Sequence, residues 1–380
     1  MISMVHVNIG TGPLTRGEVV AVARGGVRVQ LASSAMDALA RSRAHVDALA
    51  AAGDGIYGVS TGFGALATRN IPASDRARLQ RSLIRSHAAG NGALVEAEVV
   101  RALMLLRIAT LARGYSGVRP ATVQSYVDLL NSGLVPTVRE FGSLGCSGDL
   151  APLAQCALAL IGEGEVSDAG ALRPASEAMA EHGLQPVELA EKEGLALING
   201  TDGMLGMLVL ALVDLDSLLD AADLAAAMSV EGQLGTDRTF ADDLMRLRPQ
   251  VGQAISAAQL RRFLADSPIR ASHQVGDGVV QDAYSLRCSP QVHGSVRDAV
   301  AFAATIADRE LASAIDNPSV LPDGRLESHG NFHGAPLAHV LDFLAIGVAD
   351  LASLSERRTD RFLDPARNRG LPPFLADDPG

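Results

Sequence analysis

The most informative stretch of the chain reads GSLGCSGDLAPL, at residues 142–153. Its glycines permit a sharp turn, and the apolar residues after Asp149 read as a helix start with Pro152 in the first turn. The positive end of a helix dipole favours negative charge at such a turn. An ordinary capped helix start, with Ser147 or Asp149 as N-cap, explains the same residues and is favoured when this stretch is taken alone.

A second interpretation of the turn is a ring formed by the backbone itself. If the amide nitrogen of Gly148 is pressed against the carbonyl carbon of Cys146, a five-membered ring can close. Loss of water there and from Ser147 leaves an exocyclic alkene conjugated to an imidazolone, which is a strong electrophile. Glycine supplies permissive dihedral angles and an unhindered nitrogen, and a helix N-terminus stabilises negative charge on the ring oxygen.

Composition excludes several classes of protein. The 380 residues include 32 Lys and Arg against 43 Asp and Glu, which gives a formal net charge of −11. A nucleic-acid-binding protein needs a basic surface, so this acidity argues against one. With 48% hydrophobic and 3% aromatic residues and no Trp, and with Ala and Leu throughout, the chain predicts a large, close-packed and mainly α protein.

The spacing of apolar residues changes near residue 200. Before it, short helical patterns alternate with glycine-rich turns, and helices are expected at 93–113 and 120–130. After it, apolar residues recur at three- and four-residue spacing, which predicts long helices at 204–230, 295–315 and 335–358. We therefore expect a loop-rich helical N-terminal domain at 1–200 and a bundle of long helices at 201–380.

Lys192 is the only lysine in the chain, and it stands between Glu191 and Glu193. A phosphate-binding loop that ends in Gly-Lys-Ser/Thr is therefore impossible. The two flanking glutamates indicate a solvated surface charge more than a lysine that forms a Schiff base with pyridoxal phosphate. We therefore expect Lys192 on the surface.

Two further motif matches fail. The GCSGD run resembles the nucleophile elbow of serine hydrolases, but Asp149 stands where that elbow needs glycine, and no strand pattern precedes it. His329 and His333 are four residues apart, but the glycines beside them disfavour a regular helix and no Glu follows His329. No metal site is expected.

Cysteines and apolar runs bear on the location of the protein. Cys146, Cys156 and Cys288 are odd in number and contain no Cys-x-x-Cys pair, so neither a disulfide framework nor a cysteine zinc site is indicated. The first residues show no charged segment followed by an apolar stretch, and the apolar run at 204–213 is too short to span a bilayer. We expect a cytoplasmic protein without a membrane role.

Seven further stretches, in order along nearly the whole chain, carry a resemblance to a known family. They are YGVSTGFG at 57–64, SHAAG at 86–90, LINGT at 197–201, QDAYSLRC at 281–288, DNP at 316–318, GNFHG at 330–334 and SERR at 355–358. Together with the turn, they resemble the aromatic amino acid lyase family. The resemblance implies a mainly α fold of long bundled helices. It also implies 4-methylideneimidazol-5-one (MIO), formed autocatalytically from Cys146, Ser147 and Gly148 without an external cofactor.

The resemblance implies a reaction, the non-oxidative elimination of ammonia from L-histidine to give trans-urocanate. An α-amino group leaves poorly and a β-hydrogen is a very weak acid, so elimination needs an electrophile and a placed base. By resemblance, MIO is the electrophile to which the substrate amine adds. Tyr57 matches the base that removes the β-proton, and Tyr284 matches the hydroxyl that organises the amino end.

Five residues match substrate-binding positions of the family. Arg287 matches the arginine that clamps the carboxylate with a planar fork, which lysine would not reproduce. Asn199 and Gln281 match the amides that orient the ring and the substrate. Phe332 matches the apolar lid beside the electrophile, and His87 matches the histidine that faces the side chain of the substrate.

Two departures from the family pattern stand out. The family usually has alanine where this chain has Cys146, but that side chain stays outside the ring, so cyclisation is still expected. Family members continue well beyond residue 380 and carry a catalytic-site glutamate there. Because each active site in the family takes residues from three subunits, the resemblance implies a homotetramer.

Two alternatives to this function stay open. The first is another MIO enzyme, which acts on phenylalanine or tyrosine or is a 2,3-aminomutase. Ser86 and His87 argue against it, because a hydrophobic pair is expected there for an aromatic substrate. The second is a shortened, catalytically silent subunit kept for assembly.

Overall fold

The computed structural model describes residues 6–52, 58, 61, 62, 69, 71–275 and 278–376. Within these residues the chain is mainly α, which confirms the predicted fold class. The helices are α1 (Arg16–Ala23), α2 (Ser33–Ala52), α3 (Ala73–His87), α4 (Ala97–Ala112), α5 (Pro120–Ser132), α6 (Leu150–Leu160), α7 (Ala175–Glu181), α8 (Glu193–Ile198), α9 (Asp202–Gly232), α10 (Asp242–Arg246), α11 (Val251–Phe263), α12 (Pro268–Ser272), α13 (Tyr284–Arg287), α14 (Ser289–Leu311) and α15 (Ala335–Leu363). The strands are β1 (His6–Ile9), β2 (Arg28–Leu31), β3 (Asn91–Leu94), β4 (Val135–Pro136), β5 (Arg139–Phe141), β6 (Glu165–Asp168), β7 (Ala171–Pro174), β8 (Ser319–Val320) and β9 (Leu326–Glu327).

The chain forms two compact units. The first comprises Met1–Leu210 and Ile306–Ala338, and the second comprises Ala211–Thr305 and His339–Gly380. The division into domains at 1–200 and 201–380 that is expected from the sequence stays a prediction. The first unit also contains one segment, Ile306–Ala338, from the second half of the chain. Helices α9, α14 and α15 contribute residues to both units.

The long helices expected from apolar spacing are present as α9, α14 and α15. The helix expected at 93–113 begins only at Ala97, because the residues before it pair as strand β3 with β5. Pro120 begins α5 as expected, and Gly133, with a φ of +86°, ends it in the left-handed conformation. Local signals therefore placed the boundaries of these five helices within about six residues.

Helix α4 lies at the centre of the first unit. It is buried on nearly every side and contacts α1, α2 and α5. A helix that is apolar all round belongs in a protein core. A second group of helices, α3, α6 and α8, packs together in the same unit. The glycine-rich turn directly precedes α6, and Asn199 directly follows α8, so this group positions both.

Short strands complete the first unit. Strand β1 runs parallel to β2, β3 pairs antiparallel with β5, and β6 lies between β4 and β7 in an antiparallel sheet. Strands β8 and β9 pair antiparallel, with Ser319 opposite Glu327. This last pair fixes the chain directly after the DNP motif at 316–318.

The second unit has its own apolar core, formed by Ala226, Ala227, Val230, Phe240, Met245, Ala257, Leu260, Leu264 and Leu286. Helix α15 is long and apolar enough to cross a membrane by length and composition alone, and 22% of its apolar window is buried. Phe343 and Ile346 on this helix are exposed. The absence of a membrane role therefore stays a prediction.

Candidate active site

Cys146 and Ser147 occupy the tip of a tight turn. Gly145 and Gly148 pair across its base, and the Gly148 amide donates to the Gly145 carbonyl at 3.2 Å. Both glycines have a positive φ, +70° and +72°, which other residues rarely adopt. The glycines thus permit the turn as predicted, and Ser147 lies half-exposed at its tip.

Gly148 has no room for a side chain. A Cβ atom there would lie 2.8 Å from the Gly200 carbonyl carbon and 3.1 Å from the Phe332 carbonyl oxygen. The next amide, that of Asp149, donates to the Gly200 carbonyl at 2.6 Å. The backbones of three sequence motifs, GCSGD, LINGT and GNFHG, therefore meet at Gly148.

The loop that carries Phe332 is bonded to the same turn. The Gly334 amide donates to the Gly145 carbonyl at 2.7 Å. A Cβ atom at Gly334 would lie 3.1 Å from the Gly145 carbonyl oxygen, so a side chain there would crowd this approach. Phe332 itself is half-buried. The residue predicted as an apolar lid thus belongs to a loop that contacts the turn directly.

The Asp149 carboxylate caps a helix other than its own. Asp149 is the N-cap residue of α6, as the capped interpretation of the turn expects, but its side chain makes no hydrogen bond to that helix. Instead it accepts from the Met204 amide, in the first turn of α9, at 2.9 Å and from the Ser143 hydroxyl at 2.6 Å. Burial raises the pKa of Asp149 to about 6, although these two hydrogen bonds act to lower it.

Lys192 is buried, and its expected place on the surface is wrong. Its side chain is 0% exposed, and its Nζ lies 2.6 Å from Asp316 Oδ2. The neighbouring Glu193 is buried too, where Thr122 donates to it at 2.8 Å and Arg119 at 2.7 Å. These charges are satisfied by partners distant in sequence and not by solvent. Lys192 and Asp316 are 124 residues apart, so no local pattern points to the pair.

Asn199 is almost fully buried at the end of α8. Its Nδ2 donates to the Asn317 carbonyl at 2.9 Å, which joins the LINGT and DNP motifs. Its own carbonyl accepts from Arg107 Nη1 at 3.2 Å. Arg107 is fully buried and forms an ion pair with Asp202 at the start of α9. No local sequence pattern indicates this pair beyond the apolar context of α4.

His87 ends α3 with one ring nitrogen already bonded. Its Nδ1 lies 2.9 Å from the Leu83 carbonyl, which can only accept, so Nδ1 carries the proton. In the neutral ring, Nε2 is then an acceptor, and no described residue bonds to it. This geometry suits a ligand that presents an N–H donor, as imidazole does.

Three predicted residues, Gln281, Tyr284 and Arg287, lie in the second unit. The Arg287 guanidinium carbon lies 4.6 Å from the centre of the Tyr284 ring, and Tyr284 is 72% exposed. Among the described residues, the buried Nε atom of Arg287 has no hydrogen-bond partner, and no carboxylate forms an ion pair with this arginine. A stacked arginine without an acidic partner is suited to bind the carboxylate of a ligand.

The first unit therefore brings the turn, Asn199 and the Phe332 loop into one bonded cluster. His87 lies in the same unit, and no hydrogen bond among the described residues joins it to the turn. Tyr57 lies outside the described residues. The functional roles of these residues remain predictions.

The residues at the turn fit the MIO ring that the resemblance implies. The cradle around position 148 admits only a residue without Cβ, as the ring nitrogen requires. The Cys146 side chain is exposed, and its Sγ lies 3.8 Å from Ser147 Oγ, so it does not obstruct the ring atoms. Across the described ranges, no group of three or more His, Cys, Asp or Glu side chains could hold a metal ion.

Comparisons with known proteins agree with this cluster of motifs. The chain is 60% identical to a histidine ammonia-lyase of Streptomyces avermitilis, over 98% of this chain and 73% of that protein. It superposes on the crystal structure of a histidine ammonia-lyase from Trypanosoma cruzi with a TM-score of 0.87 and 37% identity, over 97% of this chain and 70% of that one. A tyrosine aminomutase structure from Streptomyces globisporus gives a TM-score of 0.91 and 36% identity, over 99% and 74% of the two chains.

The sequence model of one family covers nearly the whole chain. It is described as aromatic amino acid lyase, and it matches residues 14–380. This match, the identity to curated relatives and the meeting of the motifs at Gly148 agree with one another. The chain belongs to the aromatic amino acid lyase family.

Proposed function

We propose that this protein is a histidine ammonia-lyase, a carbon–nitrogen lyase that eliminates ammonia from L-histidine and releases trans-urocanate. The observation that carries the proposal is the 60% identity to curated histidine ammonia-lyases over 98% of the chain. The geometry of His87 supports it, because no described residue bonds to Nε2, which can accept the N–H of an imidazole substrate.

The chemistry of the reaction centres on the turn. Cys146, Ser147 and Gly148 would form the MIO ring, which supplies an electrophilic carbon for the amino group of the substrate. The N-terminus of α6 follows the ring directly, and its dipole favours negative charge on the ring oxygen. Gly200 holds the backbone of the turn through the Asp149 amide. This preorganisation removes the need to rearrange the site during the reaction.

Different side chains would bind different parts of the substrate. Arg287 would clamp the carboxylate, and its stacking on Tyr284 restricts the guanidinium plane. Asn199 and Gln281 would orient the ring and the substrate through their amides. Tyr57 would remove the β-proton, Tyr284 would organise the amino end, and Phe332 would exclude water beside the electrophile.

A direct experiment tests the proposal. In the purified wild type, we expect the peptide that spans 146–148 to be lighter than its encoded mass by two waters, and urocanate to form from L-histidine. Ser147→Ala removes the leaving hydroxyl, so it should abolish both the second dehydration and turnover. The control Ser176→Ala changes an exposed serine on α7 and should leave both unchanged. A fully active Ser147→Ala protein would exclude the proposed chemistry.

The second candidate is another MIO enzyme, and the similarity to a tyrosine aminomutase structure favours keeping it. Rates with histidine, tyrosine and phenylalanine, together with separation of α- and β-amino acid products, distinguish the two. A silent subunit is the third candidate, and an unmodified mass at 146–148 with no turnover would favour it.

We also propose that the protein assembles as a homotetramer in the cytoplasm. On the second unit, large apolar side chains are exposed on two helices, namely Leu218, Leu224 and Met228 on α9, and Phe343 and Ile346 on α15. Burial against other copies would remove these groups from water. The three cysteines are free, as expected in a reducing compartment. Native mass spectrometry of the wild type and Ile346→Asp tests assembly, and we expect a lower mass for the variant.

A further inference from the structure

Lys192 and Asp316 form a buried pair beside the candidate active site. Lys192 is the only lysine among 380 residues, and it is fully buried, with Nζ 2.6 Å from Asp316 Oδ2. Asp316 is 2% exposed, and its Oδ1 has no partner among the described residues. Burying two charges costs desolvation free energy, so such a pair adds little net stability. Its presence indicates a role in fixing the geometry of the residues around it.

The pair holds one end of a short helix whose other end carries Asn199. Lys192 directly precedes α8 and Asn199 directly follows it. The two residues bond to consecutive positions of one turn, since Lys192 contacts the Asp316 side chain and Asn199 donates to the Asn317 carbonyl at 2.9 Å. A six-residue helix attached at both ends to the same turn cannot slide or rotate freely.

The same turn also holds the loop that leads to Phe332. Asn317 Oδ1 accepts from the His329 amide at 2.7 Å, and Ser319 Oγ lies 2.7 Å from His329 Nε2. Ser319 Oγ in turn donates to the Asp316 carbonyl at 2.9 Å. The turn at 316–319 therefore connects Asn199 on one side with the GNFHG loop on the other.

The aliphatic part of Lys192 supports a third motif. A Cβ atom at Gly58 would lie 3.3 Å from Lys192 Cδ and 3.6 Å from Pro318 Cδ. Gly58 is buried, has a φ of +80° and belongs to the YGVSTGFG motif. The lysine stem and the proline ring thus pack against this glycine, and a side chain at position 58 would push against the lysine stem.

We propose that Lys192 and Asp316 are positioning residues for ammonia elimination, because their ion pair fixes α8 against the turn at 316–319 and so aims the amide of Asn199. The proposal rests on the function proposed above. Neither residue needs to touch the substrate. Their effect is on the alignment of Asn199, and small misalignment of a site costs rate more than binding.

A pair of variants separates positioning from stability. Lys192→Met leaves an uncompensated buried carboxylate and should lower both Tm and kcat. In the double variant Lys192→Met/Asp316→Leu the buried charge is gone, so Tm should recover. We expect kcat to stay at least about tenfold below the wild type, with KM for L-histidine changed less than about threefold. Arg16→Met, which breaks an exposed ion pair with Asp308, is the control and should leave kcat unchanged.

Each outcome decides the proposal. If kcat recovers together with Tm in the double variant, the pair is only structural and the proposal is overturned. The mass at 146–148 must be that of the wild type in the double variant, and a failure of ring formation would overturn a role in positioning alone. A crystal structure provides a readout that does not need activity, since the Asn199 Nδ2 to Asn317 carbonyl contact must lengthen or break. If wild-type protein does not turn over histidine, the proposed function fails, and this distance still tests the positioning.

Discussion

The Asp149 carboxylate accepts a hydrogen bond from the Met204 amide at 2.9 Å, although the two residues belong to different helices. Asp149 ends the glycine-rich turn, and Met204 lies in the first turn of α9. The first amides of a helix have no hydrogen-bond partners within it, so a carboxylate there can accept from them. The positive end of the helix dipole also attracts its negative charge. The glycine-rich turn is thereby attached to α9, the longest helix among the described residues.

The raised pKa of Asp149 predicts that stability decreases with rising pH. The pKa of this carboxyl rises from 3.8 to about 6 on folding, so between these values the folded protein binds more protons than the unfolded chain. Its contribution to stability is therefore most favourable below about pH 4 and falls until about pH 6. The difference corresponds to roughly 3 kcal/mol of unfolding free energy.

Asp149→Asn isolates this contribution. The amide keeps the size of the side chain and can accept from Met204 and donate to Ser143, but it does not titrate. Urea unfolding from pH 4 to pH 7 should show the variant gaining about 3 kcal/mol relative to the wild type. Asp128→Asn, on an exposed side of α5, is the control. A difference that does not change with pH would contradict the raised pKa.

Gly148→Ala should damage the turn more than Gly145→Ala does. Both residues have a positive φ, so both substitutions carry a backbone penalty of about 1–2 kcal/mol. Only the alanine at 148 would also meet the Gly200 carbonyl, because nothing lies within 4 Å of a Cβ at 145. We expect Gly148→Ala to cost about 1–3 kcal/mol more in chemical unfolding. Equal losses in the two variants would show that the turn relaxes around the added methyl group.

His87→Leu should lower the turnover of L-histidine strongly and the stability of the folded protein only a little. The substitution removes the acceptor Nε2 while keeping a side chain of similar bulk, so the N–H of the substrate loses its partner. We expect kcat/KM for histidine to fall about 100-fold, and the relative rate with phenylalanine to rise. The matched control is His182→Leu, at a partly exposed site where the imidazole contacts Asp168. Unchanged histidine turnover would remove His87 from the substrate site.

Arg287→Lys should weaken recognition of the substrate carboxylate. Lysine keeps the charge but loses the planar fork and the stacking on Tyr284. We expect kcat/KM to fall about tenfold to 100-fold, mainly through KM. Arg262→Lys is a matched control, because Arg262 also stacks on an aromatic ring, that of Phe263 at 5.1 Å. If both variants behave like the wild type, the carboxylate is bound elsewhere.

Much of the fold could be predicted from local patterns. Apolar residues at helical spacing located α9, α14 and α15, and Pro120 with Gly133 bounded α5, because these signals act through neighbouring residues on one helix. The motifs identified most candidate site residues through the family resemblance. Glycines at 145 and 148 pointed to a turn, since few other residues adopt the backbone that it requires.

Predictions from neighbouring residues were incomplete or wrong where a side chain binds a residue that is distant in the chain. Lys192 was expected in solvent between two glutamates, but its partner is Asp316. Asp149 is the N-cap residue of α6 as expected, but its carboxylate bonds to the first turn of α9 instead of to α6. Nothing in the order of Lys192 and its neighbours encodes which helix will pack beside them. The sequence by itself determined the candidate reactive residues and the positions of the long helices, because both depend on residue type and short-range spacing. Only the tertiary structure decided which buried charged residues form pairs, because burial and electrostatic pairing depend on distances in space.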